Sequence, residues 1–174
     1  MLEQIFTLTF MTAFLAAAVR MAVPLAYAAM GELIAEKSGI LNIGMEGVML
    51  AGAFFSFAGA FFTGSIFLGL VCGILGGVAV RMVHGVLSIH LAKDQSVSGI
   101  SLNIFALGVT SFLYKLMSSG DTYKQIDPLS RMRIPVLADI PLVGSALFEQ
   151  DIMTYVLYFL VAGIAWFYAK TSLG

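Results

Sequence analysis

The sequence predicts an all-α fold, a polytopic integral membrane protein with about five transmembrane helices. Three observations predict it. Hydrophobic residues make up 60% of the 174 positions and charged residues 11%, at a mean hydropathy of +0.97, whereas a soluble domain sits near roughly 45–50% apolar and ~25% charged. The apolar residues fall into nearly charge-free runs long enough to cross a bilayer. Charges, glycines and prolines collect between those runs. An excess of this size cannot all be core, because a small globule still needs a polar skin.

Composition also narrows function. A net charge of −1 gives no electrostatic reason to expect nucleic acid. The single cysteine, Cys72, lies in an apolar run and supplies neither a disulfide framework nor a zinc site. The first charge is Glu3, so the basic segment of a cleavable signal peptide is missing and the spans themselves must direct insertion. A Walker-type phosphate loop is absent from the sequence, so nucleotide hydrolysis is not expected of this chain.

The first span covers Ile5 to Met30 and carries one charge, Arg20, with Pro24 four residues on. Proline removes a backbone donor and crowds the carbonyl of Arg20, which predicts a span bent or broken at Arg20/Pro24. Val48 to Val80 holds no charge and is too long for one helix, with a natural break at Thr63-Gly64-Ser65. Span two is then about 43–62 and span three about 66–88. Gln95 to Tyr114 gives span four, and Ile152 to Ala169 gives span five.

Met117 to Gln150 contains Pro128, Pro135 and Pro141 and charges of both signs. It reads as an extended, partly packed external loop rather than a helix. Arg81, His84, His90 and Lys93 cluster at the junction of spans three and four, and Lys170 closes span five. Basic residues in short loops mark the cytoplasmic side. Counting back places the Thr63 turn and the N-terminus outside. It also places the polar stretch before span two inside. Arg81 and His84 are expected to snorkel to that interface.

Gly69, Gly73 and Gly77 share one helix face, as do Gly52, Ser56, Ala60 and Gly64. Small residues at this spacing predict close helix packing. On span four, Gln95, Gly99, Asn103 and Thr110 fall on roughly one side, near Ser96, Ser98 and Ser101. The serines can bond to their own helix. Asn103 cannot, and needs a partner on another helix or water in a cavity. Structural glue and pathway lining are both open to it.

The stretch Gly31 to Gly47 sets Glu32, Glu36, Glu46, Lys37 and Asn42 among glycines between two apolar segments. Lipid penalises charge and irregular backbone alike, so such a segment must be buried in protein or line a wet cavity. Lys37 and Ser38-Gly39 look like a helix end. Asn42 can cap the next helix, with Gly44 and Gly47 in its first turns and Glu46 well placed for its dipole. The predicted order is helix, break, helix. An ordinary hairpin with solvated charges and a transporter-type broken helix both fit these residues.

The run Gly31-Glu-Leu-Ile-Ala-Glu-Lys-Ser-Gly-Ile-Leu-Asn-Ile-Gly-Met-Glu-Gly-Val-Met-Leu-Ala-Gly-Ala53 closely resembles the signature of the permeases of ATP-binding cassette (ABC) importers for branched-chain amino acids, simple sugars and nucleosides. It is most similar to the nucleoside-type permeases. Gln95-Ser-Val-Ser-Gly-Ile-Ser-Leu-Asn103 resembles a second segment of that group, and Ile140-Pro-Leu-Val-Gly resembles its external loop. The chain departs from the pattern at Lys93-Asp94, where a small residue and Asn are common. It also stops at Gly174, where family members continue, so it is expected to be the N-terminal part of a longer permease.

The resemblance implies one transmembrane permease domain over 1–174 in the bacterial cytoplasmic (inner) membrane. No cofactor is expected in this chain, ATP being bound by a partner subunit. The implied partners are a second permease subunit, cytoplasmic ATPase subunits, an external substrate-binding protein and the lipid bilayer. The solute would be nucleoside-like, with riboflavin or a simple sugar as alternatives. Asn42, Glu46, Ser98 and Asn103 are the candidates for lining or gating the pathway; Pro24, Gly39, Gly44 and Gly47 are the candidates for the structural break. Two other classes are an ion-coupled secondary transporter, using Glu46 or Arg20 as charge relay, and an intramembrane hydrolase using Ser98-Gly99 with His84 or His90.

Overall fold

The computed structural model describes residues 7–41, 43–119, 126, 128–140 and 143–171. Five helical spans among them are long and apolar enough to cross a membrane. They are α1 (Leu8–Lys37), α2 (Met45–Thr63), α3 (Ile66–Gly85, continued by a π-helical turn over Val86–His90), α4 (Gln95–Ser118) and a final helix over Ile152–Lys170. The chain divides into two compact units, residues 31–128 and residues 1–30 with 129–174.

Local chemistry sets most helix ends. Gly64 ends α2 in the left-handed region at φ 69°, and the Ser65 hydroxyl accepts from the Leu68 N–H at 3.5 Å to start α3. Asp94 caps α4, accepting from the backbone of Ser96 and Val97 at 2.8 and 2.9 Å. Asn and Asp cap equally well, so the departure at Asp94 keeps the helix start that Asn would give. Helix α4 runs past Tyr114 to Ser118, with Lys115 in its last turn, where a cation suits the dipole.

The break expected at Arg20/Pro24 is not there: α1 continues through Pro24 to Lys37. Proline costs a helix one backbone bond, and membrane helices accommodate that loss. The interruption falls instead after Lys37.

In the unit over residues 31–128, α2 and α3 pack through their small residues. A Cβ on Gly69 would lie 2.7 Å from the Ser56 carbonyl oxygen and 2.8 Å from the Ala60 Cβ. On Gly73 it would lie 2.9 Å from the Gly52 carbonyl oxygen. Gly77 also faces α2 but with room to spare, since a Cβ there would meet Val48 at 3.7 Å, an ordinary contact, whereas Gly76 is pressed against the ring of Phe55. Gly73→Leu should therefore destabilise the solubilised protein by about 1–3 kcal/mol, the usual cost of overpacking. Gly77→Ala should leave the thermal midpoint unchanged. Melting both variants in detergent checks the pair.

In the other unit, the described part of the segment read as an extended, partly packed external loop carries short regular elements. It contains β1 (Arg131–Arg133), a short helix α5 (Gly144–Phe148) and β2 (Glu149–Asp151) ahead of the last span, α6 (Ile152–Lys170). The strands pair antiparallel, Met132 opposite Gln150. Side chains hold the piece together. The Tyr155 hydroxyl donates to the Met132 carbonyl at 2.8 Å, and Gln150, fully buried, donates to the Ala146 carbonyl at 2.6 Å. Asp151 caps α6 through the Thr154 N–H at 3.0 Å, and the Tyr27 hydroxyl of α1 donates to the Met153 carbonyl at 2.8 Å.

Candidate functional site

Helix α1 ends as the sequence predicts. Gly39 has φ +81°; its N–H donates to the Glu36 carbonyl, and the Ile40 N–H donates to the Ala35 carbonyl. These two bonds make a Schellman closure, which satisfies carbonyls that a helix end otherwise leaves open.

The start of α2 is built differently. The residue before its first helical position is Gly44, which has no side chain to offer as a cap. Asn42 lies outside the described residues. One of the first-turn N–H groups of α2 is satisfied from another helix. Asn103 Oδ1, on α4, accepts from the Gly47 N–H at 2.7 Å, and Asn103 Nδ2 donates to the Ile43 carbonyl at 3.0 Å. Gly47 is the third helical residue, the N–H that a helix's own Asn or Asp cap would normally take. Two turns earlier on α4, Gln95 Oε1 accepts from the Leu41 N–H at 2.8 Å.

Two glycines make this approach possible. A Cβ on Gly99 would sit 2.7 Å from the Gly44 nitrogen and 3.0 Å from the Ile43 carbonyl carbon. A Cβ on Gly47 would sit 3.0 Å from both the Leu102 carbonyl oxygen and Asn103 Oδ1. The two stretches singled out in the sequence thus dock backbone to backbone. Gln95 to Asn103 spans about 12 Å at helical rise, so the start of α2 lies about two turns inside the first residue of α4. Glu46 is exposed in the first turn of α2, where its charge suits the dipole.

Ser98 does not join this arrangement. It is buried against α3, with Ser98 Oγ 3.3 Å from His84 Nδ1 and Ser88 Oγ 3.4 Å from His84 Nε2. Ser98 Oγ also donates to the Gln95 carbonyl at 3.2 Å. His84, expected to snorkel, is only 1% exposed. Hydroxyls beside both ring nitrogens reduce the cost of burying it. Ser98 and His84 therefore meet, but the second ring nitrogen faces Ser88 and not a carboxylate, so the orienting acid of a hydrolytic triad is not in that place.

Gln95 and Gly99 were visible on the polar side of span four, yet their partners Leu41 and Gly44 carry no polar side chain to signal the contact. Between α2, α3 and α4 lies a further cavity of about 270 Å³, lined among others by Ala51, Phe55, Val80, Leu102 and Val109. Its lining gives a polar solute little to orient on. Among the described residues no group of three or more His, Cys, Asp or Glu side chains stands together to hold a metal.

Comparison with known proteins agrees with this architecture. The chain is 36% identical over 161 residues to "Guanosine ABC transporter permease protein NupQ" of Bacillus subtilis, covering 88% of this chain and 50% of that protein. It is 36% identical over 169 residues to "Putative glucose ABC transporter permease protein TsgC13" of Haloferax volcanii, covering 95% and 50%. It is 31% identical over 158 residues to "Nucleoside ABC transporter permease protein NupC" of Lactococcus lactis, covering 87% and 50%. The chain spans about half the length of these curated relatives. No solved structure matches it significantly. Residues 14–174 match the family described as the branched-chain amino acid transport system / permease component, and with five helices long and apolar enough to cross a membrane the chain belongs to that family of membrane permeases.

Proposed function

We propose that this chain contributes the translocation pathway of an ATP-binding cassette importer for a nucleoside-like solute in the cytoplasmic (inner) membrane. The observation that carries the reading is the break before α2, held at Leu41 by Gln95, the first residue of α4, and at Gly47 and Ile43 by Asn103 about two turns further along. Irregular backbone at that depth is tolerated where it is packed against protein or lines a cavity, and transporters commonly build solute sites there. Two relatives named for guanosine and nucleoside transport support the choice of solute.

In this reading ATP is bound by cytoplasmic partner subunits, a second permease subunit completes the pathway, and an external binding protein delivers the solute. Helix break, Glu46 and Asn42 face or shape the pathway, and Asn103 holds the break in place. Ser98 supports the α3–α4 contact.

The test is uptake of labelled guanosine and labelled glucose by cells carrying the full-length gene and its partner subunits. Guanosine import that follows ATP and persists when the proton gradient is collapsed at constant ATP is the expected result. Glu46→Gln and Asn42→Ala should each lower it several-fold. Uptake that collapses with the gradient while ATP is maintained would instead establish the ion-coupled class. Import of glucose alone would reassign the solute to sugars, for which the Haloferax relative is named.

A further inference from the structure

Helix α1 has a gap in its backbone bonding that side chains from elsewhere bridge. Pro24 has no N–H, so the Arg20 carbonyl lacks the donor that position 24 normally supplies, and the proline ring crowds that carbonyl. Proline is one of the few causes of sharp helix kinks, yet α1 continues past it to Lys37. Ala16, Arg20, Val23 and Tyr27 recur at steps of three and four, so they share a face. Pro24 stands at the edge of that face.

Two side-chain bonds hold this face, one on each side of the gap. Before it, Gln150 Nε2 donates to the Ala16 carbonyl at 3.4 Å. After it, the Tyr27 hydroxyl donates to the Met153 carbonyl at 2.8 Å. Both partners belong to the short stretch where β2 passes into α6, and Val23, between the two bonds, is buried. A proline ring opens a helix on its own side, and the helix then tilts away from that side. Tilting would carry Ala16 or Tyr27 away from residues 150–153. At least one of the two bonds must therefore part before α1 can bend. The held arrangement also carries a cost. Gln150 is fully buried, yet its Oε1 has no hydrogen-bond partner among the described residues. A buried polar atom left unpaired is unfavourable, so part of what the two bonds contribute is offset.

We infer that Pro24 is a hinge in α1, splinted by Gln150 and Tyr27, and that transport alternates between the held helix and one bent at Pro24. The arm beyond the hinge runs to Lys37, where the break begins, so bending re-aims the break. The inference rests on the transport reading above and is independent of which solute is carried.

Two variants of the full-length transporter, assembled with its partner subunits, test it. Pro24→Ala restores the backbone bond and should remove the bent state. Its maximal rate of guanosine uptake should fall several-fold with KM little changed, while its thermal midpoint in detergent rises. A fold damaged by the substitution would lose both. Tyr27→Phe removes one bond and should raise the bent fraction about threefold, the typical worth of an interhelical hydrogen bond in a membrane. Spin labels at Ala29→Cys and Phe159→Cys, both exposed positions, read that fraction in protein without other cysteines. Two label distances differing by about 3–5 Å, the swing of a kinked arm of this length, should exchange in weight between the nucleotide-free and ATP-bound complex. Pro24→Ala should show the shorter one alone. A single distance in every nucleotide state, or parental transport by Pro24→Ala, overturns the hinge. An unchanged bent fraction in Tyr27→Phe overturns the splint. If both distances appear but the parent imports no guanosine, the hinge stands and only the nucleoside solute is lost.

Discussion

Gly99→Val should abolish solute uptake, at least tenfold below the parent, in a protein that still reaches the membrane. The added side chain has nowhere to go. Its Cβ alone would stand 2.7 Å from the Gly44 nitrogen and 3.0 Å from the Ile43 carbonyl carbon, and backbone atoms cannot rotate aside as a side-chain tip can. The break must lift from α4, and the bonds from Asn103 to Gly47 and Ile43 must stretch or part. Overpacking typically costs about 1–3 kcal/mol, enough to lower the thermal midpoint without preventing insertion. Gly108→Ala on the same helix is the control, since a Cβ there meets nothing within 4 Å. Uptake at matched expression, with melting in detergent, reads both. Equal transport by Gly99→Val and Gly108→Ala would show that close backbone approach is not what holds the break.

Asn103→Leu is expected to have the second largest effect, and it separates two roles for this amide. Leucine fills a similar volume but cannot accept from the Gly47 N–H or donate to the Ile43 carbonyl. An interhelical bond in a membrane protein is typically worth ~0.6 kcal/mol, and a buried polar group left unpaired costs about 1–3 kcal/mol. The expected loss of stability is therefore about 1–3 kcal/mol. Both amide atoms are committed to backbone, so the fall in transport should appear in the maximal rate, about tenfold, with KM for guanosine little changed. A large rise in KM with the maximal rate intact would mean that Asn103 touches solute instead.

Much of this arrangement is legible residue by residue. Nearly charge-free runs mark the five spans because hydrocarbon penalises charge. Gly39 and Gly64 mark helix ends because each sits in the left-handed region, which glycine enters without the Cβ penalty. Asp94 and Asp151 mark helix starts because a short acidic side chain can reach the first free N–H groups of its own helix. All of these signals act over a few residues of chain. The small-residue face on α3 was legible in part: Gly69 and Gly73 are in tight contact with α2 and Gly77 in ordinary contact with it, while the close approach of Gly76 to Phe55 was not foreseen.

Other features depend on what stands opposite. Pro24 announces a break, yet losing one backbone bond does not outweigh the many that keep α1 helical on either side. In the first turn of α2 the Gly47 N–H is taken by Asn103, 56 positions further along the chain, a partner that no local signal announces. His84 carries a charge-capable ring near a helix end, where snorkelling is the local expectation; Ser88 and Ser98 make burial the better outcome. Local order along the chain therefore announces the spans, their ends and the presence of a break between α1 and α2. Only the packed structure decides that Gln95, Gly99 and Asn103 hold that break. A hydrogen bond or a backbone contact between helices leaves its mark on two distant residues at once, and neither carries it alone.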